Sequence, residues 1–226
     1  MDFKTLKPLH GWRAFFGEVG VVVLGVLLAL GAQQLVQEIQ IQSDVREFRK
    51  TIDREIGMNV YALDLRASQF NCDRQKLAEL AKWLDESRSQ ASAPAIYPHG
   101  PLVPSRARSA WDSRDAETYR QLPVDVRQRY AMFYDDIDND WDLNKMELAA
   151  RSSLARFSEP GPMSLEDRRE ARSAINLLGR YIDIQEANIV STKQLAHELG
   201  VKAIFPEDMP QSLLKQAKVC QSVRQP

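Results

Sequence analysis

The N-terminal part of the chain carries one long apolar run, which constrains the fold more than any other feature. Residues 15–36 read FFGEVGVVVLGVLLALGAQQLV, and every residue from Val19 to Ala32 is apolar or glycine. As an α-helix these residues would span about 33 Å at 1.5 Å per residue. The hydrocarbon core of a bilayer is about 30 Å thick, so the run predicts a transmembrane helix. Trp12, Phe15 and Phe16 lie at one end, where aromatic rings favour the headgroup layer.

Two other interpretations of this run remain open. Lys4, Lys7 and Arg13 could form the basic start of a signal peptide, with residues 29–31 as a loose small-x-small cleavage site. The apolar character continues past that site through Leu35 and Ile39, which favours a retained anchor over cleavage. A buried helix of a soluble protein is the third interpretation, but glycine-rich runs of valine and leucine suit lipid better.

The basic residues around the span predict its orientation. Lys4, Lys7 and Arg13 precede the span, and the first basic residue after it is Arg46. Because the cytoplasmic flank of a span carries the excess of Lys and Arg, residues 1–14 are expected to be a cytoplasmic tail. Residues 37–226 would then lie on the other side of the membrane.

Small residues line one side of the predicted span. Glu18, Gly25, Ala29 and Ala32 follow one another at helical spacing and share one face. Small side chains let a second helix approach closely, so this face is a candidate contact with a membrane protein partner or with another copy of the chain. The alternative is a glutamate at headgroup level beside small residues that occur there by chance.

The rest of the chain predicts an all-α fold. Apolar residues recur at spacings of three and four through three long segments, which indicates amphipathic helices. We expect the membrane helix to continue through 37–86 as a stalk and the first helices of an antiparallel bundle, with a break near Asn71–Arg74. Residues 87–108 hold four prolines and predict a long loop. Residues 109–226 would complete the bundle, with a stripe at Val126, Tyr130, Phe133, Ile137, Trp141 and Leu148, and with Ala171, Ile175, Leu178, Ile182, Ile189, Ala196 and Leu199.

Local signals mark the ends of these helices. A short helix is expected over 109–122, and Pro123 suits the first turn of the next helix because proline lacks an N–H. Ser164 and Asp167 have the spacing of an N-terminal cap, and Gly200 fits just after a C-terminus. A last short helix is expected over 210–219.

The sequence contains no convincing catalytic or metal motif. Acidic residues from Asp136 to Glu147 match the spacing of a calcium loop, but Trp141 stands where such a loop needs glycine. We therefore interpret them as a solvated acidic face of a helix. His197-Glu198 begins a zinc-protease motif whose second histidine is replaced by Val201. A net charge of −1 gives no long-range field that would attract nucleic acid, and no cofactor is predicted.

The chain has two cysteines, Cys72 and Cys220. In an oxidising compartment an even pair predicts a disulfide, which would tie the C-terminal segment to the first helical layer. Two free buried thiols are the alternative.

Two pieces of the chain resemble an uncharacterised family of bacterial single-span inner-membrane proteins. They are GEVGVVVLGVLLAL at 17–30, followed by Gln33-Gln34, and the segment 109–137 with Trp111, Leu122-Pro123 and Tyr134. The resemblance implies a bacterial inner-membrane protein with a helical periplasmic domain. No activity is established for that family, so it transfers no catalytic residue.

These observations favour a non-enzymatic membrane-anchored protein that acts as an accessory, scaffold or interaction subunit. The alternative is a periplasmic sensory or ligand-binding bundle that signals through a partner, with a pocket among the aromatic residues Trp111, Tyr130, Phe133, Tyr134 and Trp141. A hydrolase assembled from distant carboxylates is a third hypothesis, without local support.

Overall fold

The computed structural model describes residues 12–88, 92–101, 105–206 and 220–223. Within these ranges the fold is all-α, as predicted, and the one β-type contact is an isolated bridge between Ala93 and Gly161. The helices are α1 (Trp12–Ala67), α2 (Phe70–Glu86), α3 (Ser109–Asp112), α4 (Ala116–Arg120), α5 (Val124–Leu154) and α6 (Leu165–Glu198), with a 3-10 turn at Ala155–Phe157.

Helices α1 and α2 follow one another along a single line that is kinked at Ser68–Gln69. Ion pairs between these two helices and α6 occur in reverse order along the chain: Asp64 pairs with Lys193, Arg74 with Asp183, and Asp85 with Arg172. Helix α6 is therefore antiparallel to the line. The expected break at Asn71–Arg74 falls a few residues too late, because Asn71 already lies in the first turn of α2.

Helix α5 runs parallel to the same line. The Tyr130 hydroxyl donates to Asp53 near the start of the bundle, and Arg66 donates to Glu147 further along. The α1–α2 line, α5 and α6 thus form a three-helix bundle. We call the end where α1 enters the bundle proximal and the opposite end distal.

All three lines follow a heptad-like repeat, in which inward-facing residues alternate at spacings of three and four. This is the pattern that lets neighbouring helices interlock side chains at a shallow crossing angle. The inward positions are Ile52, Ile56, Asn59, Leu63, Arg66, Phe70 and Asp73 in the first line; Tyr130, Phe133, Ile137, Asp140, Asn144, Glu147, Arg151 and Leu154 in α5; and Ala171, Ile175, Leu178, Ile182, Gln185, Ile189, Thr192 and Ala196 in α6.

The apolar core forms two clusters. The proximal cluster is built around Ile56, Trp111 and Tyr134, and the distal cluster around Trp83 and Leu178. Polar residues occupy the heptad positions near the boundary between the two clusters. The bundle therefore has a polar layer in its middle, which the site described below is built on.

The segment between α2 and α5 returns the chain from the distal to the proximal end. Its described residues before α3 have no helix, as the prolines predicted. Glu55 anchors its far end, since the carboxylate accepts hydrogen bonds from the backbone N–H groups of Ala110 and Trp111 and from the Tyr134 hydroxyl. The single helix expected over 109–122 is instead two short helices, α3 and α4, separated by a turn.

The two predicted ends of α6 agree with the structure, and the proline expected in the first turn of α5 lies one residue before it. Ser164 caps α6 in a reciprocal capping box with Asp167, Pro123 immediately precedes α5, and Gly200 has a positive φ of 77° just after α6. Residues 201–206 then lie against α1, where the Ile204 N–H donates to the Gly57 carbonyl at 2.8 Å. The helix expected over 210–219 lies outside the described residues.

Candidate functional site

The apolar segment predicted to span a membrane is the N-terminal part of α1, before this helix enters the bundle. The exposed fraction of its large side chains lies between 41% for Val19 and 72% for Val21, and Leu28 and Leu35 are two-thirds exposed. No residue in the most apolar stretch of this helix is buried by the described part of the chain. One long apolar N-terminal helix of this length could cross a membrane.

The small-residue face of this segment is also bare. Glu18, Gly25, Ala29 and Ala32 are all exposed. Apart from the backbone of the helix itself and the two neighbouring residues, no described atom lies within 4 Å of the position that a Cβ at Gly25 would take. The described chain therefore leaves this face free for another helix, and it neither supplies nor blocks the predicted contact.

The polar layer of the bundle is centred on Arg66 at the C-terminal end of α1. Its guanidinium lies 2.6 Å from a carboxylate oxygen of Asp73 and 3.0 Å from one of Glu147. It also donates from Nη2 to Gln185 Oε1 at 2.8 Å. These side chains are almost fully buried. One arginine thus joins α1, α2, α5 and α6 in a site where an unpaired charge would be costly.

A second arginine completes the layer. Arg151 donates to both Glu147 and Asp73, and its remaining nitrogen donates to the His99 carbonyl at 3.0 Å. Lys76 is buried beside them, and this burial lowers its pKa against the opposing effects of Asp73 and Glu147. We call the set the central layer; it comprises Arg66, Asp73, Lys76, Asp140, Asn144, Glu147, Arg151 and Gln185.

A chain of amide contacts leads from Arg66 to Asp140. Gln185 Nε2 donates to Asn144 Oδ1 at 2.9 Å, and Asn144 Nδ2 donates to Asp140 Oδ2 at 3.2 Å. The other carboxylate oxygen of Asp140, Oδ1, is buried and accepts no hydrogen bond from the part of the chain that the structure describes. Burial raises the pKa of Asp140 to about 6; Arg66 and Asn144 act in the opposite direction, while Glu147 adds to the rise.

A small cleft adjoins Asp140. Its volume is about 30 Å³, which is room for one or two water molecules. The Arg106 guanidinium lies over the Trp141 ring, 5.6 Å from its centroid, and also pairs with Asp138. The cleft is lined by Asn59 and Arg66 of α1, by Ser105 and Arg106, and by Asp140 and Trp141 of α5.

The central layer corrects the prediction of a solvated acidic face. Helix α5 does run through 136–147, so its acidic residues fan around the helix and do not converge as a calcium loop. Asp140, Asn144 and Glu147, however, are buried. The expected stripe through Trp141 and Leu148 is shifted by one residue, since Leu148 is 62% exposed. The unbroken alternation of three and four from Tyr130 to Leu154 was the signal that could have revealed the true face.

The structure brings Cys72 and Cys220 together at disulfide distance, with their Cα atoms 5.4 Å apart. The residues after Cys220 lie along α2, where Ser222 and the Val223 N–H both donate to Glu79. Val223 is fully buried in the distal cluster, and its carbonyl accepts from the Tyr97 N–H at 2.7 Å. The pair thus fastens residues 220–223 across α2 and the proline-rich segment.

The aromatic residues considered as a pocket are mostly packed against one another. Trp111 and Tyr134 stack with ring centroids 4.5 Å apart, and Phe133 meets Tyr134 edge to face. These residues and Tyr130 belong to the proximal core cluster. Trp141 is the exception, because it lines the cleft beside Asp140.

A polar groove of about 300 Å³ lies between the stalk and α4. It begins at Gln37, directly after the apolar segment, and three carboxylates contribute to its lining, from Asp44, Asp115 and Glu117. The pKa of Asp115 is lowered mainly because its side chain accepts the Thr118 backbone N–H as the cap of α4. The described groups that line the groove include no basic side chain.

Among the described residues, no group of three or more His, Cys, Asp or Glu side chains is arranged to hold a metal ion. No protein-family model matches the chain, and neither a curated protein nor a solved structure is significantly similar to it.

Proposed function

We propose that this chain is a non-enzymatic, single-span inner-membrane protein whose helical domain acts as a scaffold or accessory subunit of a membrane assembly. The observation that carries the proposal is the bare apolar segment of α1, which begins at Phe15 and is exposed around its whole circumference. Water would solvate such a segment poorly, whereas lipid would cover it without any further protein contact.

The proposed orientation places the N-terminus in the cytoplasm and residues 37–226 in the periplasm. It is supported by Lys4, Lys7 and Arg13 before the span and by the lack of basic residues after it until Arg46. The disulfide-distance pair Cys72–Cys220 is compatible with an oxidising compartment on that side.

The proposed role in an assembly is supported by what the chain leaves uncovered. The small-residue face around Gly25 would seat a second membrane helix. The buried polar groups of the central layer hold one another, which suits a structural core better than a substrate site.

A topology assay on the intact protein tests the anchor and its orientation. A C-terminal reporter that is active only outside the cytoplasm should be active, and the protein should stay in the membrane after alkaline extraction. Reversing the charges of Lys4, Lys7 and Arg13 should weaken the orientation, whereas reversing Arg168, Arg169 and Arg172 should not. A mature chain that begins near residue 32, or one that is soluble without detergent, contradicts the proposal.

Association through the span is tested with matched substitutions on opposite sides of α1. Gly25→Ile places a bulky side chain on the small-residue face, and Leu27→Ile changes the opposite side at nearly constant volume. We expect the first to reduce cross-linking to a second copy or to a co-purified membrane protein, and the second to leave it unchanged. Equal cross-linking in both variants would remove the helix contact from the proposal.

A further inference from the structure

We propose that Asp140 is a proton-binding site of the bundle, with Oδ1 as the atom that takes the proton and the adjoining cleft as its route to solvent. The ligand is a proton from solvent water, and its binding changes the charge of the central layer. This inference concerns the helical domain alone and does not depend on the membrane anchor.

The hydrogen-bond network fixes which oxygen takes the proton. Arg66 can only donate, so the atom of Gln185 that faces it must be the oxygen Oε1. The amide nitrogen of Gln185 then donates to Asn144, and the amide nitrogen of Asn144 donates to Asp140 Oδ2. Oδ2 is therefore held as an acceptor. Oδ1 is the oxygen that remains, and it has no hydrogen-bond partner among the described residues.

The position of Asp140 explains why a proton would bind there more tightly than to an exposed aspartate. Its side chain is 8% exposed, and removing a carboxylate from water favours the neutral acid. A protonated Oδ1 would also become a donor for a water molecule in the cleft, which resolves the missing hydrogen bond. Burial accordingly raises the pKa of Asp140 to about 6, while Arg66 limits the rise.

The charges around Asp140 come from every side of the bundle. Glu147 opposes the ionised form of Asp140, and Arg66 favours it. From α6 the neighbouring group is the neutral amide of Gln185, reached through Asn144. The charged side chains of the central layer and the cleft are Arg66 of α1, Asp73 and Lys76 of α2, Arg106 of the returning segment, and Glu147 and Arg151 of α5.

Proton binding at Asp140 acts on the point where the helical lines are joined. Without the proton, the buried charges of the layer are three cationic and three anionic side chains. With the proton, one positive charge is in excess, next to the Arg66 contacts that hold the end of α1 against α2, α5 and α6. The protonation state of Asp140 thus changes the net charge of the layer at which all the long helices meet.

Chemical unfolding of the full chain in detergent at pH 7.5 and pH 5.0 tests the proposal. Because the native state would bind the proton more tightly than the unfolded chain, the unfolding constant of the wild type should fall about tenfold relative to that of Asp140→Asn between these pH values. Asp142→Asn is the matched control, since Asp142 is exposed on the same helix, and it should keep the wild-type pH dependence. Parallel pH dependences of the wild type and Asp140→Asn would overturn the proposal.

A second measurement needs no variant. Carbon-13 labelling of the aspartate carboxyls in the wild-type protein should show one resonance with a titration midpoint near pH 6. Asp140→Asn should lack that resonance, and Asp142→Asn should keep it. If every aspartate of the folded wild type titrates below pH 5, Asp140 is not a proton-binding site.

Discussion

Arg66 and Glu147, which are 81 residues apart in the chain, meet at 3.0 Å in the centre of the bundle, where both side chains are almost completely buried. Arg66 ends α1 and Glu147 lies in the distal half of α5, so this ion pair sets the relative height of the two helices. Asp73 shares the same guanidinium from the first turn of α2. The kink between α1 and α2 is therefore held by a buried charge and not by the apolar core alone.

Replacing Arg66 should be strongly destabilising. Arg66→Met removes the guanidinium that pairs with Asp73 and Glu147 and leaves the buried layer with an uncompensated negative charge. Breaking a buried ion pair from one side costs about 3–5 kcal/mol. Arg74→Met is the matched control, because Arg74 pairs with Glu186 at the surface and should lose less than about 1 kcal/mol. Urea unfolding of both variants measures the difference. Equal losses would show that the central layer does not hold the bundle.

The Cys72–Cys220 pair should contribute to stability through the long loop that it closes. The bond spans 148 residues, and chain entropy for so long a loop gives up to about 5 kcal/mol. Reduction by dithiothreitol should lower the melting temperature of the wild type and expose the distal cluster that Val223 fills. The double variant Cys72→Ser with Cys220→Ser should melt at the same temperature with and without reductant. If the melting temperature of the wild type is the same with and without reductant, the disulfide does not contribute to stability.

Two helical glycines should respond in opposite directions to alanine. A Cβ at Gly57 would lie 2.7 Å from the Ile204 side chain and 2.8 Å from the Lys202 carbonyl, so residues 201–206 must move. At Gly179 the nearest atom, Leu77 Cδ1, is at an ordinary 3.7 Å. Gly179→Ala should gain up to about 1 kcal/mol from helix propensity, whereas Gly57→Ala should lose about 1–2 kcal/mol because the clash exceeds that gain. Unfolding free energies of the two variants decide this.

Lys76 should give the unfolding free energy a pH dependence on the alkaline side. Burial lowers its pKa from the ordinary value of 10.5, so over that range the unfolded chain holds more protons than the native state. The unfolding free energy should therefore rise as the pH increases through the lowered pKa, and level off above 10.5. Lys76→Met should lack this rise, and Lys82→Met should retain it, because Lys82 is 73% exposed. If Lys76→Met keeps the wild-type slope, Lys76 is not the titrating group.

Much of the helical framework could be predicted from local chemistry. The helix over the apolar run at 15–36, the cap formed by Ser164 and Asp167, and Gly200 after α6 each depend on residues close in sequence. The structure agrees with both ends of α6, and at 15–36 it has a long apolar helix that could cross a membrane. The proline-rich loop is equally local. The helix expected over 109–122 is split at Asp115, whose side chain caps α4. The position of α3 depends in addition on Glu55, a distant residue that binds its start.

The central layer could not be predicted, for a physical reason. The periodicity of apolar residues assigns Asp140, Asn144 and Glu147 to the outside of the helix because they are polar. It assigns Trp141 and Leu148 to the inward face because they are apolar. The burial of the three polar residues depends on Arg66 and Arg151 meeting them from other parts of the chain. Only the continuing spacing from Ile137 to Leu154 marks them as inward-facing, and that signal carries no information about the partner.

Helix α1 has no break between its bare apolar part and the residues that enter the core. The direction of its small-residue face relative to its core-facing side is therefore fixed. At 3.6 residues per turn, the side that carries Gly25 and Ala29 lies roughly half a turn from the side that carries Ile52 and Ile56. A companion helix seated beside Gly25 would rise on the flank of α1 that faces away from α5 and α6. On that flank residues 201–206 cross α1 at Gly57.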